Sequence, residues 1–343
     1  SQYYNWYEWK QWPLPNSQSN YKPSDYYECW WDHGEMPDLN FDLDEINPSE
    51  NSTKNIDMAN PNWEVVNYLL DVAEYWISDM DIDGFRLDVP NEVPFWFWEL
   101  FREKVKSIKP DAYLVGELWN NAIEWVNDDY FDAVMNYAYF KDPVMRFFNM
   151  RKCNAATFDK DLKQGLLSYP TQATQIMMNL IDSHDTFRYL ESASGDISKL
   201  KLAVLFQMTY VGVPHIWYGD EIGMMGAHDP DCRRPFNWKY IDDLDMVSIR
   251  DFYKKLISIR KENSSLRTGT FETLIIDNMV YGFLRSDNNS KIAVVINNDI
   301  NANKVKIPFD NRKAVDLISG KVYISKGDGF ELELEPMSGI ILK

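Results

Sequence analysis

Three carboxylates hold positions from which they could do chemistry. Asp88 lies in "DIDGFRLDVPNEV" (81–93), Glu117 in "LVGELW" (114–119) and Asp185 in "NLIDSHDT" (179–186). Each sits at, or just past, the end of a short apolar run. Two such groups across a small gap can cleave an acetal: one attacks the anomeric carbon and the other, protonated, donates to the departing oxygen. Retention of configuration needs the pair about 5–5.5 Å apart, and inversion needs more. Asp88 is the better nucleophile. In a strand, side chains alternate with period two, so Arg86 shares its face and would keep it ionised. Glu117 follows Gly116 and precedes Leu118-Trp119, and an apolar, partly dry setting would raise its pKa and keep a proton available. Asp185 could then hydrogen-bond sugar hydroxyls, with His184 donating to the same ring. A structural Arg–Asp pair is the competing account of Arg86 and Asp88. With 53 acidic residues in the chain, any single acid near a strand end is more commonly a cap or a solvated loop residue. Three in apolar strand contexts, on one expected face, turn the balance toward function.

Those acids need elements to hold them. A helix is expected from Asn60-Pro61, a start signal, with Val65, Val66, Leu69, Val72, Ala73, Trp76 and Met80 on one apolar face. Ile82–Leu87 then reads as a strand. Pro94 opens a second helix with Phe97, Phe101, Val105 and Ile108 inward, closed by Lys109-Pro110. Further strands are expected at 112–118, 131–137, 175–182 and 212–219, with helices near 199–210 and 246–261. Near-continuous apolar strands alternating with amphipathic helices indicate parallel βαβ units. In a closed parallel barrel all strand C-termini open on one face, where active sites lie. Asp88 and Glu117 are 29 residues apart (117 − 88), about one βα unit, so adjacent strands would bring them close. From about Thr268 eight short runs between Asn, Asp and Gly turns read as an antiparallel β-sandwich. Residues 1–60, rich in Tyr, Trp, Pro, Asn and Ser, read as a long irregular and hence functional loop region.

Bulk properties narrow the partners. A net charge of −18 argues against nucleic acid and anionic membrane surfaces. No run of 18 apolar residues occurs, so no membrane-spanning helix is expected. The 13 Trp, 20 Tyr and 18 Phe suit a large core, and they also suit stacking on pyranose rings. Cys29, Cys153 and Cys232 are odd in number, which disfavours a disulfide framework. His33, His184, His215 and His228 form no metal motif, so no metal ligand is assigned. The opening "SQYYNWYEWKQWPLP" has neither the basic start nor the apolar core of a signal peptide.

These motifs together resemble the α-amylase superfamily of glycoside hydrolases, in particular its neopullulanase, cyclomaltodextrinase and maltogenic amylase group, with amylopullulanases close by. "MPDLN" (36–40) is similar to the motif closing the domain inserted after the third barrel strand. "DGFRLDVPNEV" is similar to the nucleophile motif, "LVGELW" to the general-acid motif and "NLIDSHDT" to that of the third acid. "YGDEIGMMGAHDPDCRRPFNW" (218–238) is similar to the loop after the eighth strand. The resemblance implies Asp88 as nucleophile, Glu117 as acid/base and Asp185 as transition-state stabiliser, with Arg86 and His184 in the accompanying substrate and charge network. It implies that Asn91-Glu92, found where many α-amylases carry Lys-His, and Trp119 shape the acceptor side. Packing accounts equally well for Trp119, and a favourable helix-start charge for Glu92. Asp229, Arg233 and Arg234 could reach the cleft, with a structural ion-pair loop as the leading reading.

The implied fold is α/β, a (β/α)8 TIM barrel of which only strands 4 to 8 are present, followed by an all-β antiparallel sandwich. The expected domains are 1–40, the end of the inserted domain; 41–266, the C-terminal part of the barrel; and 267–343, the sandwich. The expected function is retaining hydrolysis of α-glucosidic bonds in starch, pullulan or cyclodextrins. Transglycosylation, or a non-catalytic glucan-binding subunit completed by an N-terminal fragment, are the alternatives. No nucleotide, flavin or haem motif is present and no cofactor is required. Calcium is compatible with the family, but its ligands near the third strand are not in this chain. The expected partners are an α-glucan and the missing N-terminal part of the same enzyme, with homodimerisation common in the group. Extracellular and cytoplasmic locations stay open, as do α-1,4 against α-1,6 preference and endo against exo action.

Overall fold

The computed structural model describes residues 2–11, 22–44, 55–325 and 327–343, so parts of the expected long loop region lie outside the described residues. The chain forms two units, residues 1–118 with 122–134, and residues 119–121 with 135–343.

The first unit is built on three parallel strands in the order β1 (Gly84–Leu87), β2 (Tyr113–Gly116), β3 (Ala133–Val134). Gly84 is level with Tyr113, Arg86 with Val115 and Leu87 with Gly116. Each strand lies inside its expected range and is shorter. Close approach at two glycines fits β1 and β2 to this register. Glycine is needed at 84, because a Cβ there would come within 2.0 Å of the Tyr113 carbonyl oxygen. At 116 a Cβ would come within 2.7 Å of the buried Phe131 ring. Gly84→Ala therefore forces β1 from β2, and we expect a destabilisation of at least about 1–3 kcal/mol. Denaturant midpoints of the two proteins check this, and an unchanged midpoint would contradict the close approach.

Helix α1 (Trp63–Ser78) packs on helix α2 (Phe95–Ile108). Its start differs from expectation: Asn62 takes the cap position, while the Asn60 amide donates to Asp42 at 3.0 Å. Its buried face differs too. Val66, Leu70, Ala73 and Ile77 are buried with Val65, whereas Val72, Trp76 and Met80 are exposed. The apolar residues of this helix form two stripes, and the one of Val66, Leu70, Ala73 and Ile77 is buried. In α2, Phe97, Phe101 and Val105 are buried as expected, with Ile108 at the exposed end. Asp132, beside β3, accepts from Lys106 and the Leu114 amide and pairs with Arg102. Burial alone would raise its pKa, but these donors hold it below the usual carboxylate range.

In the second unit β4 (Met178–Asn179) pairs in parallel with β5 (Val213–Pro214), and Met135 bridges in parallel to Met178. Three long helices follow in chain order, α3 (Ala155–Ser168), α4 (Ile197–Thr209) and α5 (Leu244–Glu262). Residues 175–176, expected in the fourth strand, instead end a short helix, Thr171–Ile176. Among the described residues the all-β segment has eight strands, β6 to β13, each overlapping an expected run, with β6, β7, β9 and β13 reaching one to three residues beyond theirs. Four form an antiparallel sheet in the order β13 (Ser338–Leu342), β8 (Lys291–Asn297), β7 (Val280–Ser286), β6 (Thr270–Asp277). The strands β9 (Asn303–Ile307) and β12 (Phe330–Leu334) pair with each other, as do β10 (Lys313–Val315) and β11 (Val322–Ile324). Tyr281, Phe283, Ile292 and Ile341 share one core with Phe140, Phe158 and Phe206.

Candidate active site

Within the first unit the two leading acids meet on one guanidinium. Arg86 Nη1 donates to Asp88 Oδ1, and Arg86 Nη2 lies 2.8 Å from Glu117 Oε1. Oxygens held by the two terminal nitrogens of one guanidinium can be no more than roughly 7–8 Å apart, which admits the about 5–5.5 Å of retaining glycosidases. The cause is the register: Leu87 and Gly116 are partners, so Asp88 and Glu117 leave their strands side by side, and the Glu117 amide donates to the Leu87 carbonyl at 2.9 Å. The two acids differ in exposure. The Asp88 side chain is 72% exposed and that of Glu117 is 4%. The setting of Glu117 is thus buried, as expected, but a guanidinium stands against it.

The chain turns sharply after Asp88. Val89 has φ 38° and ψ 54°, a left-handed conformation that β-branched residues rarely adopt and that costs about 1–3 kcal/mol. Its amide lies 3.4 Å from Glu117 Oε2, and the indole of Trp98 donates to Pro90 O at 2.9 Å. The strain aims Asp88 outward while the chain re-enters the short helical turn Pro90–Glu92. Glu92 Oε1 accepts from Asn91 Nδ2 at 2.9 Å and from Trp31 Nε1 at 3.2 Å. Trp31 also has a left-handed backbone, φ 46°, and stacks on Trp30 with centroids 4.5 Å apart. A cavity of about 320 Å³, lined by Trp30, Asp38, Phe41, Asp88, Val89 and Glu92, opens here. Burial, then the charges of Glu28 and Glu92, push Asp38 up to about 6 against the pull of Lys10.

Within the second unit, His184 and Asp185 follow β4. Asp185 Oδ2 lies 2.9 Å from His184 Nε2 and Oδ1 lies 2.7 Å from Arg233 Nη2. Arg233 also pairs with Asp229 at 2.9 Å. The ion-pair loop expected of these residues is present in part, but Arg233 reaches beyond it to a candidate acid. Arg234 pairs with Asp231 and lines a separate cavity of about 370 Å³ with Leu190, Met224 and Phe236. Trp119 stacks on Tyr137 at 4.6 Å and is 46% exposed.

The description "Alpha amylase, catalytic domain" matches residues 1–245. The chain belongs to the α-amylase family. Among its relatives is a cyclomaltodextrinase of Thermoanaerobacter pseudethanolicus, 42% identical over all of this chain and 55% of that protein. A neopullulanase 2 of Thermoactinomyces vulgaris is 44% identical over 82% of this chain and 48% of its own length. A solved cyclomaltodextrinase superposes with TM-score 0.85 at 36% identity, covering 100% of this chain and 55% of that one. The chain thus spans about half the length of these relatives. In this α-amylase family chain several residues at or beside the candidate site escaped sequence reasoning. Trp31 left only a Trp-Trp pair as a signal. The strain at Val89 left none. Asp182 and Asp220 lie in two of the quoted motifs, and Arg188 two residues past the first, without a mark to separate them from their neighbours.

Proposed function

We propose that this chain carries the reacting acids of a retaining glycoside hydrolase that cleaves α-glucosidic bonds in maltodextrins, pullulan or cyclodextrins. The observation that carries the proposal is the Arg86 guanidinium held against both Asp88 and Glu117 at the tips of adjacent parallel strands. Exposed Asp88 attacks the anomeric carbon as the bond to the leaving oxygen breaks, and Glu117 gives that oxygen its proton. A glycosyl ester on Asp88 results. Glu117, now a carboxylate, takes a proton from water, whose oxygen attacks the same carbon and releases Asp88. Arg86 suits Glu117 in this second, proton-accepting form. Asp185, braced by His184 and Arg233, hydrogen-bonds the sugar as positive charge develops. The names of the relatives support the substrate class.

The five short parallel strands are read here as the fourth to eighth of a (β/α)8 barrel, and the rest of the relatives' length as necessary for turnover. The coverage of about 55% supports this. Starch hydrolysis at ordinary rates by residues 1–343 alone would contradict it.

A fluoroglycoside that forms the ester quickly and hydrolyses slowly tests the mechanism on the full-length enzyme. We expect the peptide containing Gly84–Val93 to gain one glycosyl mass, at Asp88. Labelling elsewhere, or none with inverted product, would refute the assignment. The aromatic cavity beside Asp88, with Glu92 held by Trp31, favours transfer to a sugar as a companion outcome. Excess acceptor separates the two by product analysis.

A further inference from the structure

We propose that Asp182 and Asp220 share a single proton across a hydrogen bond and, with Arg188, form a buried clamp that positions the His184–Asp185 segment. Both carboxyl groups and the Arg188 side chain are almost completely buried. One oxygen of each acid has an ordinary donor. Asp182 Oδ2 accepts from the Tyr189 amide at 2.6 Å, and Asp220 Oδ1 accepts from Arg188 Nη1 at 3.1 Å. The other two, Asp182 Oδ1 and Asp220 Oδ2, are buried with no donor from any other described residue, the phenols of Tyr189 and Tyr253 included. Yet the two carboxyl groups stand within hydrogen-bond reach of each other. Two ionised carboxylates have nothing to donate, and face to face in a dry site they repel. One proton between them removes both difficulties. It also balances charge, since one negative charge remains against Arg188.

The clamp leads to Asp185 by short steps. Arg188 donates to the carbonyls of Tyr218 at 2.7 Å and Cys232 at 3.0 Å. Cys232 Sγ and Arg233 Nε each lie 2.9 Å from the His184 carbonyl, and Arg233 Nη2 holds Asp185. Asp182 itself ties the other end, through the Tyr189 amide. Asp182, Asp220 and Arg188 touch no reacting atom; they are positioning residues. The charged and titratable groups around the pair are Arg188, Lys141 and Glu221, with the phenols of Tyr189 and Tyr253. Burial, ahead of the other influences, raises both acids above the usual range. Unfolded aspartates are ionised at neutral pH, so the folded protein binds the extra proton. Its stability then falls as pH rises toward the pair's folded titration.

The positioning claim rests on the reading of Asp185 as a site residue, but the shared proton does not. Two measurements on the full-length enzyme keep them apart. The first is the wild-type minus D182N/D220N infrared difference spectrum at neutral pH, in which the carbonyl stretch of one buried carboxylic acid is expected. No such band would overturn the proposal, whatever the activity. The second is D220N, whose amide supplies the missing donor permanently and lets its carbonyl still accept from Arg188. We expect kcat/KM at neutral pH within about threefold of wild type, because the network survives, and a melting-point advantage over wild type that grows with pH. D220A leaves Arg188 without its hydrogen-bonded carboxylate, and we expect kcat to fall about tenfold or more with the D220N variant restoring it. A D220N melting difference that is flat with pH, or a D220N loss as large as that of D220A, would refute the clamp. If D220A does not fold, the infrared band and the D220N profile still decide.

Discussion

Asp88→Asn is expected to lower turnover of a maltodextrin by the full-length enzyme by on the order of 10⁴-fold or more, the scale seen when a reacting group is removed outright. Asparagine keeps the shape, and its carbonyl can still accept from Arg86 Nη1. It cannot form a glycosyl ester that later leaves as a carboxylate. Stability should barely move. The Asp88 side chain is 72% exposed, and exposed substitutions usually stay within about 0.5 kcal/mol. Substrate binding should likewise persist. The combination separates chemistry from folding: a Kd near wild type, an unchanged melting point, and turnover nearly gone. Initial rates against isothermal titration supply the comparison. Residual turnover above about one part in a hundred would mean that another group attacks the sugar.

Arg86→Met gives the second large effect, by a different route. The Glu117 side chain is 4% exposed and its oxygen lies 2.8 Å from Arg86. Removing one partner of a buried pair while the other stays typically costs about 3–5 kcal/mol. Expressed as rate, that is on the order of 10²–10⁴-fold, and part of it should emerge as a lower melting point, since Arg86 also joins β1 to the end of β2. Arg86→Lys discriminates between charge and geometry. A lysine ammonium is a point charge, whereas the guanidinium presents two nitrogens in a fixed fork. The lysine variant should therefore recover stability better than rate. Equal recovery of both would show that bridging the two carboxylates is unimportant.

The strands were readable because buried parallel strands are apolar on both faces, and their C-terminal acids then stand out. All five lie inside the runs that announce them, though each is shorter, since pairing stops where the partner strand stops. The buried face of α1 was less legible. Its apolar residues satisfy helical periodicity in two stripes, 65/69/72/76/80 and 66/70/73/77, and only packing against α2 selects the second. Arg233 shows the same limit. An ion-pair loop with Asp229 is the leading reading, and that pair exists, but that Arg233 also holds Asp185, 48 residues away, does not follow from spacing.

Sequence by itself determined the kind of chemistry: acids at the ends of apolar runs, an arginine two residues before one of them on the same strand face, and motifs dense enough to identify a family. These are local properties, set by periodicity and by the cost of placing charge among apolar residues. The tertiary structure alone decided which groups touch. The register of Gly84 against Tyr113 puts Asp88 beside Glu117 on one guanidinium, and the burial of Asp182 with Asp220 makes a shared proton necessary. Contacts between residues tens of positions apart depend on how strands pair and what the core excludes from water, and no short stretch of sequence carries that information.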